Sequence, residues 1–361
     1  MRRGIVPAAV ALGLGLTGCS AANEADAGTG QSESAKSELS GTISGAGASS
    51  QAAAMEAWIA GFTEQHPDAT VNYDPVGSGG GREQFVAGGT DFAGSDAYLD
   101  EELEAAKERC GGDVVELPLY VSPIAVAYNL EGVEQLQLRP ETIAGIFAQK
   151  ITTWDDPAIA KDNPGVELPG TAITPVNRSD ESGTTENFVE YLAAAAPDVW
   201  TYEVSGDWPV EGGEAAQGTS GVVGAIEGGD GTIGYADASQ VGDLGVASVG
   251  VGDEFVEYSP EAAAAVVEAS QRVEGRGETD FAFDLARDTT ESGTYPIVLV
   301  SYSIACTTYE SQQEADLVRA FFSYLASAEG QQSAADAAGS APISASLREQ
   351  VQVAIDTISA R

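Results

Sequence analysis

Histidine is nearly absent: 361 residues contain one, His66, beside three cysteines and two methionines. Catalytic triads and zinc centres both draw on imidazole, so this scarcity weighs against them at the outset. Neither a G-x-S-x-G elbow nor an H-E-x-x-H pair occurs, and His66 stands in "TEQHPD", at a helix end before a proline, where a cation suits the helix dipole. Basic residues are also few, with Lys and Arg totalling 16 against 56 acids and a net charge of −40. Nucleic acid requires a basic footprint and anionic lipid attracts basic surfaces, so neither is expected to bind this chain directly. The N-terminal apolar stretch Ile5 to Leu16 is shorter than the roughly 20 residues needed to cross a bilayer.

Behind Arg2 and Arg3, that stretch reads as an export signal. It ends in "LTGC", where Thr17 and Gly18 before Cys19 resemble the bacterial lipobox, which is cut ahead of a cysteine that then carries lipid. The expectation is a signal peptide over residues 1–18 and a lipid-anchored flexible tether over 19–41, holding the protein at the outer face of the cytoplasmic membrane. "SAANEADAGTGQSESAKSELSG" has almost no large apolar side chain with which to offset the entropy of ordering, and its mean reach is roughly 25 Å. Losing Arg2 and Arg3 with the signal takes the net charge from −40 to −42. Cys110 and Cys306 then remain as an even pair, which in an exported chain favours a disulfide over a metal site. Such a bridge would place the first and last thirds of the chain in one lobe.

Above roughly 250 residues chains tend to divide, so two lobes are expected. Strand and helix patterns alternate, implying α/β architecture with mainly parallel sheets. Met55, Trp58, Ile59 and Phe62 recur at helical spacing after Ser49 or Ser50 as an N-cap. An acidic helix is read from near Tyr98, and "VVELPLYVSPIAVAYNL" as a buried strand interrupted around Pro118 and Pro123 by a crossing between lobes. "YPIVLVSYSIAC" is a second buried strand, and "EADLVRAFFSYLAS" an amphipathic helix.

Four segments share a pattern of strand, small polar loop and helix: Gly45 to Ser50, Gly77 to Gly81, Gly94 to Asp96, and Ser179 to Thr184. In open α/β sheets ligands bind beyond the carboxyl ends of strands, so these loops are expected to meet in one cleft. The richest is "NRSDESGTT", Asn177 to Thr185, with an arginine, two acids and four hydroxyls before a helix. Helix N-termini carry unpaired N–H groups and partial positive charge, and so hold anions. Taken singly, each segment has a plainer reading. "GSGGG" lacks the lysine of a P-loop and fits a flexible turn; Asp96 fits a helix cap; Arg178 and Asp180 fit a surface ion pair worth at most about 1 kcal/mol. "ESGT" recurs at Glu291 to Thr294 but precedes a strand, and is read as coincidence.

"GAGASSQ", "VNYDPVGSGGG", "DFAGSDAYL", "ITTWDDPAI", "NRSDESGTT" and "TIGYAD" follow in the order and approximate spacing of the periplasmic phosphate-binding proteins, substrate receptors of the phosphate ABC importer. The chain resembles that family from about Ser40 onward. The resemblance implies a two-lobed periplasmic-binding-protein fold of type II, its cleft lying between lobes joined by a two-strand hinge. Lobe one would comprise 42–120 plus 296–361 and lobe two 121–295, with crossings near Tyr120 and Tyr295. The implied ligand shell is Ser49, Ser50, Ser78, Asp96, Arg178, Ser182, Gly183 and Thr184, with Asp180 orienting Arg178. The implied partners are inorganic phosphate and the membrane permease, with no cofactor, no metal and no catalytic residue, and a monomeric state. This chain departs from the family at Ser50, where an aromatic is frequent, and at Glu181, where many members have glycine.

Each implied residue fits the anion chemistry. Ser49, Ser78, Ser182 and Thr184 offer hydroxyls, the N–H groups of Ser50, Gly183 and Thr184 point from helix starts, and Arg178 offers a bidentate charged donor. Asp96 suits only a ligand that brings a proton, as hydrogen phosphate does and sulfate does not. Sites built to pair with a ligand hydroxyl reject analogues lacking it by roughly 10⁴-fold or more. Screening acts over about 8–10 Å, so the distant negative charge does not outweigh dipoles at contact. The rival readings are a receptor for another oxyanion, a secreted phosphatase, which lacks a recognisable nucleophile or metal cluster, and a surface structural lipoprotein.

Overall fold

A computed structural model describes residues 39–361. The expected signal peptide, Cys19 and most of the tether lie outside these residues, while Gly41, counted above with the tether, already pairs in the first strand.

The chain opens with β1 (Gly41–Gly47), α1 (Ala52–Gln65), β2 (Ala69–Asp74), α2 (Ser78–Val86), β3 (Phe92–Ser95) and α3 (Leu103–Cys110). β1 lies between β2 and β3, parallel to both. Next comes β4 (Val114–Asn129), buried along nearly its whole length, which is why it reads as one apolar run. Helices α4 (Pro140–Phe147) and α5 (Pro157–Asp162) precede β5 (Thr174–Arg178), α6 (Gly183–Ala195), β6 (Glu214–Ala216), α7 (Gly218–Gly228) and β7 (Thr232–Asp237). After α8 (Pro260–Ala269) the chain returns through β8 (Val298–Cys306) to α9 (Gln312–Ala326), α10 (Ala328–Ala338) and α11 (Ala345–Ile355).

Eight strands run in the order β2-β1-β3-β8-β4-β7-β5-β6, and a short strand, Gly245–Val246, also pairs with β4. β4 is the axis: it pairs antiparallel with β8 as far as Pro123, then antiparallel with β7 from Ile124. One half-sheet, β1 to β3, therefore joins the other, β5 to β7, through one continuous strand. Within each half the sheet is parallel as expected, whereas β8 and β4 run antiparallel to their neighbours.

The expected break in β4 is a correction. Both prolines are accommodated without ending the strand: Pro118 sits at a bulge where Ser301 faces Tyr120 and Tyr302 faces Pro118, and Pro123 closes the pairing with β8. The skipped residue's carbonyl, that of Leu119, accepts from Gln331 Nε2 at 2.9 Å, so the bulge leaves it satisfied.

Segments from the two ends of the described chain pack together. Met55, Trp58 and Phe62 form the buried face of α1. Trp58 Nε1 donates to the Gly330 carbonyl at 2.7 Å, and the Phe62 and Phe321 rings meet edge to face at 5.3 Å. Cys110 and Cys306 are bonded, tying the end of α3 to the end of β8.

Two local expectations change. Neither Ser49 nor Ser50 caps α1: Gln51 occupies the cap position without a side-chain capping bond, its Nε2 donating instead to Tyr73 OH at 3.3 Å, and both serine hydroxyls are engaged elsewhere. α3 starts at Leu103 rather than near Tyr98, since the Leu99 N–H is drawn to Glu116 Oε1 at 2.7 Å instead of entering a helix.

Candidate anion-binding site

The loop from Asn177 to Thr185 folds as its chemistry suggests. Ser182 is extended and caps α6, its hydroxyl accepting the Thr185 N–H at 3.2 Å. Tyr235 lies beneath, bonding the Thr185 hydroxyl at 2.7 Å and stacking on Phe188 with ring centres 4.4 Å apart. The backbone entering α6 is thus fixed from below.

Arg178 leaves β5 just before this loop and is only 3% exposed, which removes the reading of a surface ion pair. Its Nε donates to Asp180 Oδ1 at 2.8 Å and its Nη2 to Asp180 Oδ2. Asp180 also accepts the Gly218 N–H at 3.1 Å. Burial acts to raise the Asp180 carboxyl, but the hydrogen bond and charge of Arg178 outweigh it and hold the group below the ordinary aspartate range. The guanidinium is therefore held in a fixed plane. Gly77, the cap residue of α2 at φ 102°, abuts this pair: a Cβ there would lie 2.7 Å from Asp180 Oδ2.

Asp96 follows β3 and is 3% exposed. Its Oδ1 accepts from Ser50 Oγ at 2.7 Å, its Oδ2 from Thr184 Oγ1 at 2.8 Å, and its backbone N–H donates to Ser78 Oγ at 3.1 Å. It is thus not a helix cap. Burial pushes the carboxyl above its usual range, against the pull of the Ser50, Thr184 and Ser301 hydroxyls and of Arg178. A carboxylate offers about four lone-pair sites, so each oxygen keeps one after these bonds. The Ser50 hydroxyl, read as a possible helix cap, and the Thr184 hydroxyl, expected to face the ligand, are both spent on Asp96 because a buried carboxylate takes the nearest donors.

The residues of the implied ligand shell, with Asp180, come together here. Gly183 stands against Asp96 and Ser78: an added Cβ would be 2.8 Å from Asp96 Cβ, from Ser78 Oγ and from the Ala97 nitrogen. Ser49 Oγ accepts the Thr219 N–H at 3.1 Å and lies 3.1 Å from Thr219 Oγ1. The starts of α2, α6 and α7 thereby converge, each with its positive dipole end inward.

Several participants escaped the sequence reading. Thr219 is the second residue of α7, which Gly218 opens at φ 68°, repeating the pattern of strand, small polar loop and helix after β6; that pattern was its available signal. Gln240 Nε2 donates to the carbonyls of Ser49 and Ser50, both at 2.9 Å, and Asn187 Nδ2 to that of Asp96 at 2.7 Å. Nothing local in the sequence marks these last two. Glu181 turns away from the cluster toward Arg82. The second "ESGT" closes a local turn, Thr294 Oγ1 donating to the Glu291 carbonyl at 2.7 Å. His66 ends α1, its N–H on the Phe62 carbonyl. Among the described residues no His, Cys, Asp or Glu cluster is arranged to hold a metal ion, and no helix is long and apolar enough to cross a membrane.

A family model described as a PBP superfamily domain matches residues 32–329. The chain is 33% identical to "Phosphate-binding protein PstS 3" of Mycobacterium leprae over 97% of this chain and 96% of that protein. It is 36% identical to "Phosphate-binding protein PstS2" of Mycobacterium bovis over 87% of this chain and 86% of the relative. Its fold resembles that of a high affinity periplasmic phosphate-binding protein solved with phosphate, with a TM-score of 0.70 at 22% identity, covering 87% of this chain and 93% of that one. The chain belongs to the PstS family of the PBP superfamily, with the two-lobed periplasmic-binding-protein fold.

Proposed function

We propose that this site binds inorganic phosphate as hydrogen phosphate and that the protein delivers it to an ABC-type phosphate importer, as its PstS relatives' names and the phosphate-bound neighbour suggest. The observation that carries the reading is Asp96: a buried, hydroxyl-bonded carboxylate among helix N-termini and a buried arginine. Alone it would repel an anion; with a ligand that brings its own proton it becomes an acceptor. Arg178, oriented by Asp180, supplies charge. The hydroxyls of Ser49, Ser78 and Ser182 and the N–H groups of Ser50, Gly183 and Thr184 supply the remaining donors. No reaction is assigned to the site.

The proposed lobes are 42–120 plus 296–361 and 121–295, exchanged through β4 and the segment before β8. One stretch leans across that division, since the Glu116 backbone bonds Thr279 and Phe281 at 3.0 and 2.9 Å. Closure of the lobes would clamp the anion, and the closed form would be what the permease recognises. Lipid at Cys19 would keep this monomeric receptor at the outer face of the cytoplasmic membrane. Calorimetric titration at neutral pH tests the reading: phosphate is expected to bind tightly and sulfate to be ignored, and silence toward phosphate would overturn it.

A further inference from the structure

Arg82 lies on α2 in one lobe and Glu181 on the loop before α6 in the other, and they meet at 2.9 Å between Nη2 and Oε1. Arg82 is 6% exposed and otherwise held by its own side: Nε donates to Glu102 Oε1 at 3.0 Å and Nη1 to Ser95 Oγ at 2.9 Å. One nitrogen therefore projects across the cleft from a guanidinium fixed at its other two. Glu181 enters a slot made for it. A Cβ at Gly79 would come within 1.6 Å of Glu181 Oε2, and one at Gly206 within 2.2 Å of Oε1. Gly206 is itself tied to the loop by the Ser182 N–H at 3.0 Å.

We propose that Arg82 and Glu181 form a latch between the lobes that holds the cleft closed and slows release of the bound anion. This rests on the phosphate reading above. Separation of the lobes returns Glu181 to water while Arg82 keeps Glu102, so neither charge is stranded on opening and the latch is reversible. Glu186, also in the second lobe, faces Glu102 across the closed cleft, and Arg82 offsets that repulsion, while Glu190 is held by its own partner Arg287 at 2.9 Å. The charge that departs from the family at position 181 thus acts on closure rather than on the anion.

The test measures phosphate association and release by stopped flow for wild type, Glu181→Gln and Glu181→Gly, at low and high salt. Both variants are expected to release phosphate about 10-fold faster with association unchanged within twofold, because a close charge pair formed only on closure, with Arg82 buried and Glu181 half-buried, acts mainly on dissociation. Added salt should speed release from wild type and not from the variants. Melting of the ligand-free protein should fall by no more than a few degrees, as for the loss of one half-exposed ion pair, which separates a latch from a general loss of packing. Release rates equal to wild type in both variants would overturn the latch. If wild type itself fails to bind phosphate, the functional reading falls, and the latch is then tested without ligand by the distance between spin labels at Glu56→Cys and Lys161→Cys. Glu181→Gln should lengthen that distance, and an unchanged distribution would overturn the proposal.

Discussion

Gly183→Ala is the sharpest structural probe of the closed cleft. Position 183 opens α6 in one of the proposed lobes, and the three atoms that an added methyl would meet, the Ala97 nitrogen, Asp96 Cβ and Ser78 Oγ, all fall in the other, each 2.8 Å away. Two of them are backbone or Cβ atoms that cannot swing aside, so the lobes must part slightly. Overpacking of this kind costs about 1–3 kcal/mol, which converts to about 5- to 150-fold in affinity. Within α6 alone the substitution is mildly favourable, since alanine loses less backbone entropy than glycine. The two effects separate by assay: phosphate affinity measured by calorimetry should fall by that factor, while the melting temperature of the ligand-free protein should hold or rise. Affinity within twofold of wild type would refute the reasoning, because it would mean that the lobes do not close on this contact.

Two further outcomes follow from the same structure. Reduction of the Cys110–Cys306 bond, which spans 196 residues of sequence, should lower stability by up to about 5 kcal/mol and shift the urea midpoint downward; an unchanged midpoint would mean that the packing of α1 against α9 and α10 already supplies the constraint. Burial, then the neighbouring Glu190, Glu181 and Glu102, push the Glu186 carboxyl up to about 7 against the pull of Arg82. A raised carboxyl stabilises the fold below its unfolded value near 4.5 and loses that contribution as pH rises through 7. Glu186→Gln should therefore flatten the decline in unfolding free energy between pH 5 and 8, measured by urea denaturation, by roughly 1–3 kcal/mol; a parallel decline in both proteins would contradict the assignment.

Much of the site was legible because its parts are local. A cap serine, an arginine two residues before an aspartate, and glycines at helix starts are written in consecutive residues, as in Asn177 to Thr185. What was not legible depends on partners brought from afar. Ser50 looked like a cap, yet its hydroxyl is claimed by Asp96, 46 residues on. Glu181 stood out only as a departure from the family's glycine, and its partner Arg82, 99 residues back, was not to be seen in the sequence. The two prolines suggested a broken strand, but a bulge and a change of pairing partner absorb them within β4. The alternation of strand and helix indicated the parallel half-sheets; only the register shows that the two connecting strands run antiparallel.

The central claim is that Asp96 selects the anion by its proton. Its most direct test is titration of wild type and Asp96→Asn with phosphate and with sulfate at neutral pH. The account predicts tight phosphate binding and no sulfate binding by wild type, with sulfate gained and the preference for phosphate lost in Asp96→Asn, whose amide can donate to an unprotonated oxygen. Equal binding of both anions by wild type, or a preference for phosphate that survives in Asp96→Asn, would contradict it.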